Sequence, residues 1–211
     1  MGRARDYAAR IAAAYPRMAS YADELVAVAG RLNIDPAWLA NIIAIESRGG
    51  DPQAVNDVSG ATGLIQFMPC PTCTAEDLGT TTSALYQMTG LQQMPYVERY
   101  FQMVMRRHGP VRSQEDVIAA VFYPAYIGQP DREMPYNVQR DNPGIRTLSD
   151  YTRILTSKAK LPVEGIAGGV FSGLGGGNKA TQIAIYGSIA GLIILASWRF
   201  RDDIRALARG E

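Results

Sequence analysis

Apolar side chains recur at helical spacing along most of the first two-thirds of the chain, and clear alternating strand patterns are scarce. Residues 5–31 carry Ala, Ile, Leu and Val in helical register, interrupted at Tyr15-Pro16, which predicts two helices or one broken one. Asp35-Pro36 is a strong helix start, with Asp as N-cap and Pro at the first helical position, and the pattern runs on to Ser47. Residues 49–82 are rich in Gly, Pro, Asp, Ser and Thr around a short apolar run, "GLIQFM". From Thr82 to Arg107 the helical pattern returns, with breaks expected near Gly90 and Pro95. Ser113 followed by Asp116 predicts a further helix start, leading into "VIAAVFYPAYIG". The globular part is therefore expected to be mainly α.

The helix at 36–47 carries an anomaly. Leu39, Ile42, Ile43 and Glu46 fall at i, i+3, i+4 and i+7, on one face, and three of the four are aliphatic. A carboxyl at the edge of a core has its charged form disfavoured and its pKa raised. Such a group keeps a proton near neutral pH and has it to give. Against this stands the commoner fate of an acid near a helix end, which is to point into solvent.

Charge narrows the partners. Lys and Arg number 21 and Asp and Glu 20, so no bulk electrostatic pull toward nucleic acid is expected. The two cysteines form Cys70-Pro-Thr-Cys73, readable as a local disulfide or as plain thiols. The second half of a zinc site is missing, because the only histidine, His108, lies far away in "MRRHGP". No metal or other cofactor is expected, and Ser-His or Cys-His chemistry has little to stand on.

Beyond the globular part the character changes. Residues 1–24 read as an N-terminal helical extension, 25–160 as the main domain, and 161–179 as a glycine-rich linker. Residues 180–198 run without a charge between Lys179 and Arg199, long enough at about 1.5 Å per residue to span a bilayer's hydrocarbon core. Trp198 stands at the interfacial position, four arginines follow in the charged tail at 199–211, and Gly187 and Gly191 form a G-x-x-x-G pair. A membrane-spanning helix is expected; the alternative is a helix buried in protein. No cleavable leader is visible at the N-terminus.

Seventeen residues past Glu46 begins Gly63-Leu64-Ile65-Gln66-Phe67-Met68-Pro69, after Gly60-Ala61-Thr62. "E-S" followed by "G-A-x-G-L-x-Q-x-M-P" resembles the lytic transglycosylases of the soluble (SLT) type and their relatives, the goose-type lysozymes. "LNIDPAWLANIIAIES" is similar to the family's approach to its catalytic glutamate, and "DLGTTTSALYQMT" and "VFYPAYIGQP" resemble versions found in bacteriophage virions. The likeness covers about residues 25–155 and implies a lysozyme-like helical domain.

It also implies roles. Glu46 would protonate the glycosidic oxygen between N-acetylmuramic acid and N-acetylglucosamine, then act as base toward the muramic C6 hydroxyl, closing a 1,6-anhydro ring. One carboxyl serves both steps, so the paired carboxylates of ordinary glycosidases are not required. Ser47 would orient Glu46 by a hydrogen bond, Gly63 would let backbone approach sugar, and Gln66 would offer donor and acceptor to an N-acetyl group. The family's "A-Y-N" tyrosine matches Tyr123, although Pro124 replaces the Asn and Ile65 stands where Met is usual. Tyr126 is a second contact or plain core. Asp57 is a possible second carboxylate holding a water, or a turn residue in "NDVSG".

The expected function is peptidoglycan cleavage by a virion-associated lytic transglycosylase that opens the wall during phage genome ejection. Alternatives are a goose-type muramidase using water, and a non-catalytic glycan-binding component of a virion or secretion channel. The expected partners are glycan strands, a membrane through residues 180–198, and other virion or envelope-channel proteins, with no specificity for nucleic acid. The expected location is the phage particle, acting in the host periplasm, or else a bacterial inner membrane with the enzyme facing the periplasm.

Overall fold

A computed structural model describes residues 2–70, 74–141 and 144–162. The glycine-rich linker beyond residue 162, the apolar run at 180–198, the charged tail and Cys73 lie outside the described residues. Within them the chain is helical, joined by isolated β-bridges at Val55–Thr62, Thr62–Phe67 and Glu133–Thr147, as the periodicity predicts.

Helices α1 (Gly2–Ala14) and α2 (Ala22–Leu32) are separated by a 3-10 turn at Pro16–Met18, where the sequence places its interruption. Residues 1–24, read as an extension, contribute Ile11, Tyr15, Met18 and Tyr21 to the same buried core as the rest. Tyr21 Oη donates to the Gly50 carbonyl at 2.7 Å, tying this segment to the loop that follows Glu46.

Helix α3 (Pro36–Glu46) is capped by Asp35, whose carboxylate accepts from the Ala37 N–H at 2.7 Å. Its buried residues are Ala37, Leu39, Ala40, Asn41, Ile42, Ile43 and Glu46, which fall all around the axis rather than on one stripe. Packing against α1, α2 and α7 (Gln114–Phe122) accounts for this, because a helix surrounded by protein has no solvent face to keep polar. Glu46 thus ends a central helix. Burial holds it there more firmly than an amphipathic surface helix would.

The remaining elements are α4 (Thr74–Asp77), α5 (Thr82–Gln87), α6 (Gly90–His108), α8 (Tyr136–Asp141) and α9 (Leu148–Thr156), with a 3-10 turn at Pro124–Tyr126. Ser113 caps α7 by accepting from the Asp116 N–H at 3.1 Å. The break before Gly90 is real, and Thr89 opens α6 with a capping box to Gln92. Pro95 does not break it. It lies on the exposed side of α6, as does Leu91, whose carbonyl it leaves without an i→i−4 partner.

Among the described residues no helix is long and apolar enough to cross a membrane, and no group of His, Cys, Asp and Glu could hold a metal ion. Cys70 is disulfide-bonded.

Candidate active site

Glu46 is the last residue of α3 and 9% exposed. Its Oε1 is buried and accepts no hydrogen bond. Burial alone pushes the carboxyl up to about 8 from its ordinary 4.5, so at neutral pH it carries a proton. The residue lines a cleft of about 610 Å³ together with Ala44, Ile45, Gln66 and Asn56. An acid that is protonated, desolvated and open to a cleft on one side is placed to donate.

The loop opposite is built to present Gln66. Thr62 and Phe67 exchange backbone hydrogen bonds at 3.0 and 2.9 Å, and Gly63 N–H donates to Ala54 O at 2.8 Å. This closes a tight turn whose tip, Gln66, takes the left-handed conformation at φ 54°. Its Nε2 donates to the carbonyls of Ala54 at 3.2 Å and Gly63 at 3.1 Å, which offsets the strain and fixes the side chain. With the amide nitrogen so engaged, the carbonyl oxygen is the group left for a ligand. The expectation of both donor and acceptor is reduced to an acceptor.

Gly63 also differs from its expected role. It has φ 86°, and a Cβ there would collide with Gln93 Oε1. The close approach is therefore to a buried side chain of α6 rather than to sugar. Gln93 is fully buried; its Oε1 accepts from Leu64 N–H at 2.9 Å, and its Nε2 donates to Pro52 O at 2.7 Å and Leu85 O at 2.8 Å. One amide thus pins three segments behind the Gln66 loop. Nothing in "GLQQMP" distinguishes it from its neighbour Gln92.

Ser47 does not orient Glu46. Its hydroxyl donates to the Ile43 carbonyl at 2.6 Å, the back-bond that a serine following a helix makes most readily. Asp57 is exposed on a turn held by Asn56, whose Oδ1 accepts from Val58 and Ser59 N–H at 3.0 and 3.2 Å. It is not among the residues lining the cleft, and the turn reading describes its placement.

Tyr123 and Tyr126 lie together in the core, 2% and 4% exposed, with ring centroids 5.4 Å apart. Neither lines the cleft. Tyr126 Oη donates to Glu133 O at 3.0 Å and its ring lies under the Arg132 guanidinium, so it is fastened within the fold. A further phenol within electrostatic reach of Glu46 is Tyr151, which sequence reasoning missed. Burial lifts its pKa well above the ordinary value, and Glu46 and then Tyr123 lift it further, which puts these three groups within electrostatic reach. Tyr151 sits on α9 in "LSDYTRIL", where the sequence shows ordinary core periodicity and no other signal.

Residues 26–90 match the family model described as a transglycosylase SLT domain. No curated protein matches the chain, and neither does any solved structure. The matched segment contains Glu46, Ser47, Asp57, Gly63 and Gln66, and stops before Tyr123, Tyr126 and Tyr151. The half of the site that carries the acid is thus similar to that family.

Proposed function

We propose that the protein is a lytic transglycosylase acting on peptidoglycan. The observation that carries this reading is Glu46: a buried, protonated carboxyl without a partner, and the one acid among the described residues lining the cleft. Glu46 gives its proton to the oxygen between muramic C1 and the next sugar, and that bond breaks. The carboxylate left behind, desolvated and unpaired, is a strong base. It takes the proton from the muramic C6 hydroxyl as O6 bonds to C1, which closes the anhydro ring and restores the acid. A hydrolase of the two-carboxylate kind needs a second acid across the cleft. Asp57 is not there, which favours the intramolecular closure over attack by water.

Mass spectrometry of digested sacculi decides among the rivals. The expected products end in 1,6-anhydromuramic acid. Reducing ends would identify a muramidase instead, and no products a glycan-binding structural component. Glu46→Gln keeps the shape and removes the transferable proton, so it should lose cleavage by at least roughly a thousandfold while still binding glycan. Cleavage by that variant at more than a few per cent of the parent rate overturns the assignment.

The setting is proposed on sequence grounds: a phage particle that carries the enzyme to the wall for genome ejection, with residues 180–198 entering the host membrane. A bacterial inner-membrane location facing the periplasm shares the same chemistry.

A further inference from the structure

The turn that follows Glu46 lies in the left-handed region of backbone space. Arg48, Gly49 and Gly50 take φ of 53°, 90° and 97°, three successive left-handed positions. The glycines reach that region freely. For Arg48 it is costly, and such a residue stays there only where its surroundings over-determine it. Returned to right-handed backbone, Arg48 would send the chain out of α3 in another direction. Glu46, the last residue of that helix, stands two positions before it.

The groups that hold this turn come from a short segment ahead of the matched residues 26–90. Arg17 Nη1 donates to the Arg48 carbonyl at 2.7 Å, with the Asp51 carboxylate 3.9 Å from the same nitrogen. Tyr21 Oη donates to the Gly50 carbonyl at 2.7 Å from inside the core. The Tyr21 ring is itself wedged: a Cβ on Gly90, the first residue of α6, would collide with it, and one on Gly50 would stand 2.7 Å from its hydroxyl. Burial, and after it the Asp51 charge, raise the pKa of this phenol above its ordinary value, so it stays a donor over the working range of pH. Arg48 carries the hold across the cleft. Its guanidinium donates to the Val55 carbonyl at 3.1 Å, and Val55 pairs with Thr62, which pairs with Phe67 beside Gln66. Arg48, Gly49 and Val55 line the cleft together with Glu46 and Gln66.

Resting on the transglycosylase reading, we propose that Arg17 and Tyr21 are positioning residues for the reaction. They lock the left-handed turn at 48–50, which fixes the end of α3 that presents Glu46 and, through Arg48, its spacing from the Gln66 turn. Neither residue lines the cleft. Packing alone would be served by the Tyr21 ring and by Met18, which are buried in the core. Arg17 is exposed and adds no burial, so the evident effect of its bond is to keep Arg48 left-handed. The segment that reads in the sequence as an extension thereby sets the working geometry of the acid.

The test uses the full chain with Arg17→Met, Arg17→Lys and Tyr21→Phe, assayed on sacculi well below their melting temperatures. Arg17→Met and Tyr21→Phe should lower kcat by about ten- to a hundredfold, with KM changed by no more than about twofold. Arg17→Lys, which keeps a donor, should retain most of the activity. A released helix end lets water reach the Glu46 carboxyl, so the alkaline limb of the rate profile should move down by about one pH unit. Carbon-13 NMR of the Glu46 carboxyl reads the same shift without substrate. Should Tyr21→Phe fail to fold, Arg17→Met carries the test, because it changes an exposed side chain. Parent-like kcat and Glu46 titration in the folded variants overturn the proposal and leave the transglycosylase reading standing. A loss entirely in KM, with Glu46 titrating as in the parent, overturns it as well. If the parent cleaves nothing, that reading fails and the NMR titration decides alone: a lowered Glu46 pKa in Arg17→Met supports the lock, and an unchanged one sinks it.

Discussion

Glu46 titrates near 8 in the folded chain against an ordinary 4.5, and that gap has consequences for both rate and stability. Between those values the folded state holds a proton that the unfolded state has released, so stability falls as pH rises. The contribution is complete below about 4.5 and lost above about 8, on the order of 5 kcal/mol at about 1.4 kcal/mol per pKa unit. Glu46→Gln removes it. Urea midpoints of the variant should therefore stay nearly flat across this range while those of the parent decline. A parent whose midpoint rises with pH would show that the carboxyl is paired rather than stranded. Cleavage by the parent should fall on the alkaline side with an apparent pKa near 8, as the acid is ionised before it can donate. Gln66→Ala should cost about ten- to a hundredfold in kcat/KM, less than Glu46→Gln, because Gln66 positions substrate and carries no proton.

At the scale of elements, the site depends on two buried amides that fasten loops to helices. Gln93 on α6 holds Leu64, Pro52 and Leu85. Gln93→Ala leaves those backbone groups without their partner, which should destabilise the fold by about 1–3 kcal/mol and loosen the Gln66 loop. Gly63→Ala strains the same place from the other side, since its new methyl meets Gln93 and its φ of 86° suits only glycine. Both should lower the thermal midpoint, and activity at low temperature should suffer more than global stability suggests. Unchanged melting in Gln93→Ala would mean that water replaces the amide. Asn41→Ala should likewise cost about 1–3 kcal/mol, because it strands the Tyr15 hydroxyl's proton and frees the Leu161 carbonyl. Hydrogen exchange at residues 158–161 should rise in that variant, and protection equal to the parent's would show that packing alone holds that segment.

At the scale of the whole molecule, the N- and C-terminal parts of the described chain meet at α3. Tyr15 reaches Asn41 from the one side and Lys160 from the other, so the acid's helix is clasped between segments far apart in sequence. The apolar run at 180–198 follows this clasp after the glycine-rich stretch. If it enters a bilayer, full-length protein should float with liposomes, and Ile193→Lys should abolish that by placing a charge in the hydrocarbon core. Full-length protein that stays monodisperse in plain buffer and ignores vesicles would instead assign the run to a protein partner.

The sequence by itself determined the helical stretches of α1–α3 and α5–α7, the caps at Asp35 and Ser113, and the candidate acid, but not α4, α8 or α9. Asp35-Pro36, Ser113 and the break before Gly90 are local signals, set by backbone hydrogen bonding within a few residues. Glu46 stood out because it terminates an aliphatic run, and Gln66 because the motif around it resembles that of the SLT family. Only the tertiary structure decided which groups face the acid. Ser47 turned its hydroxyl back to Ile43, a competition between two acceptors that spacing cannot settle. Gly63 proved to make room for Gln93, a residue thirty positions later that looks like any surface glutamine. Tyr151, Tyr15 and Lys160 reach the site through long-range packing, where a residue's neighbours are set by how helices cross and not by the few residues beside it in the chain.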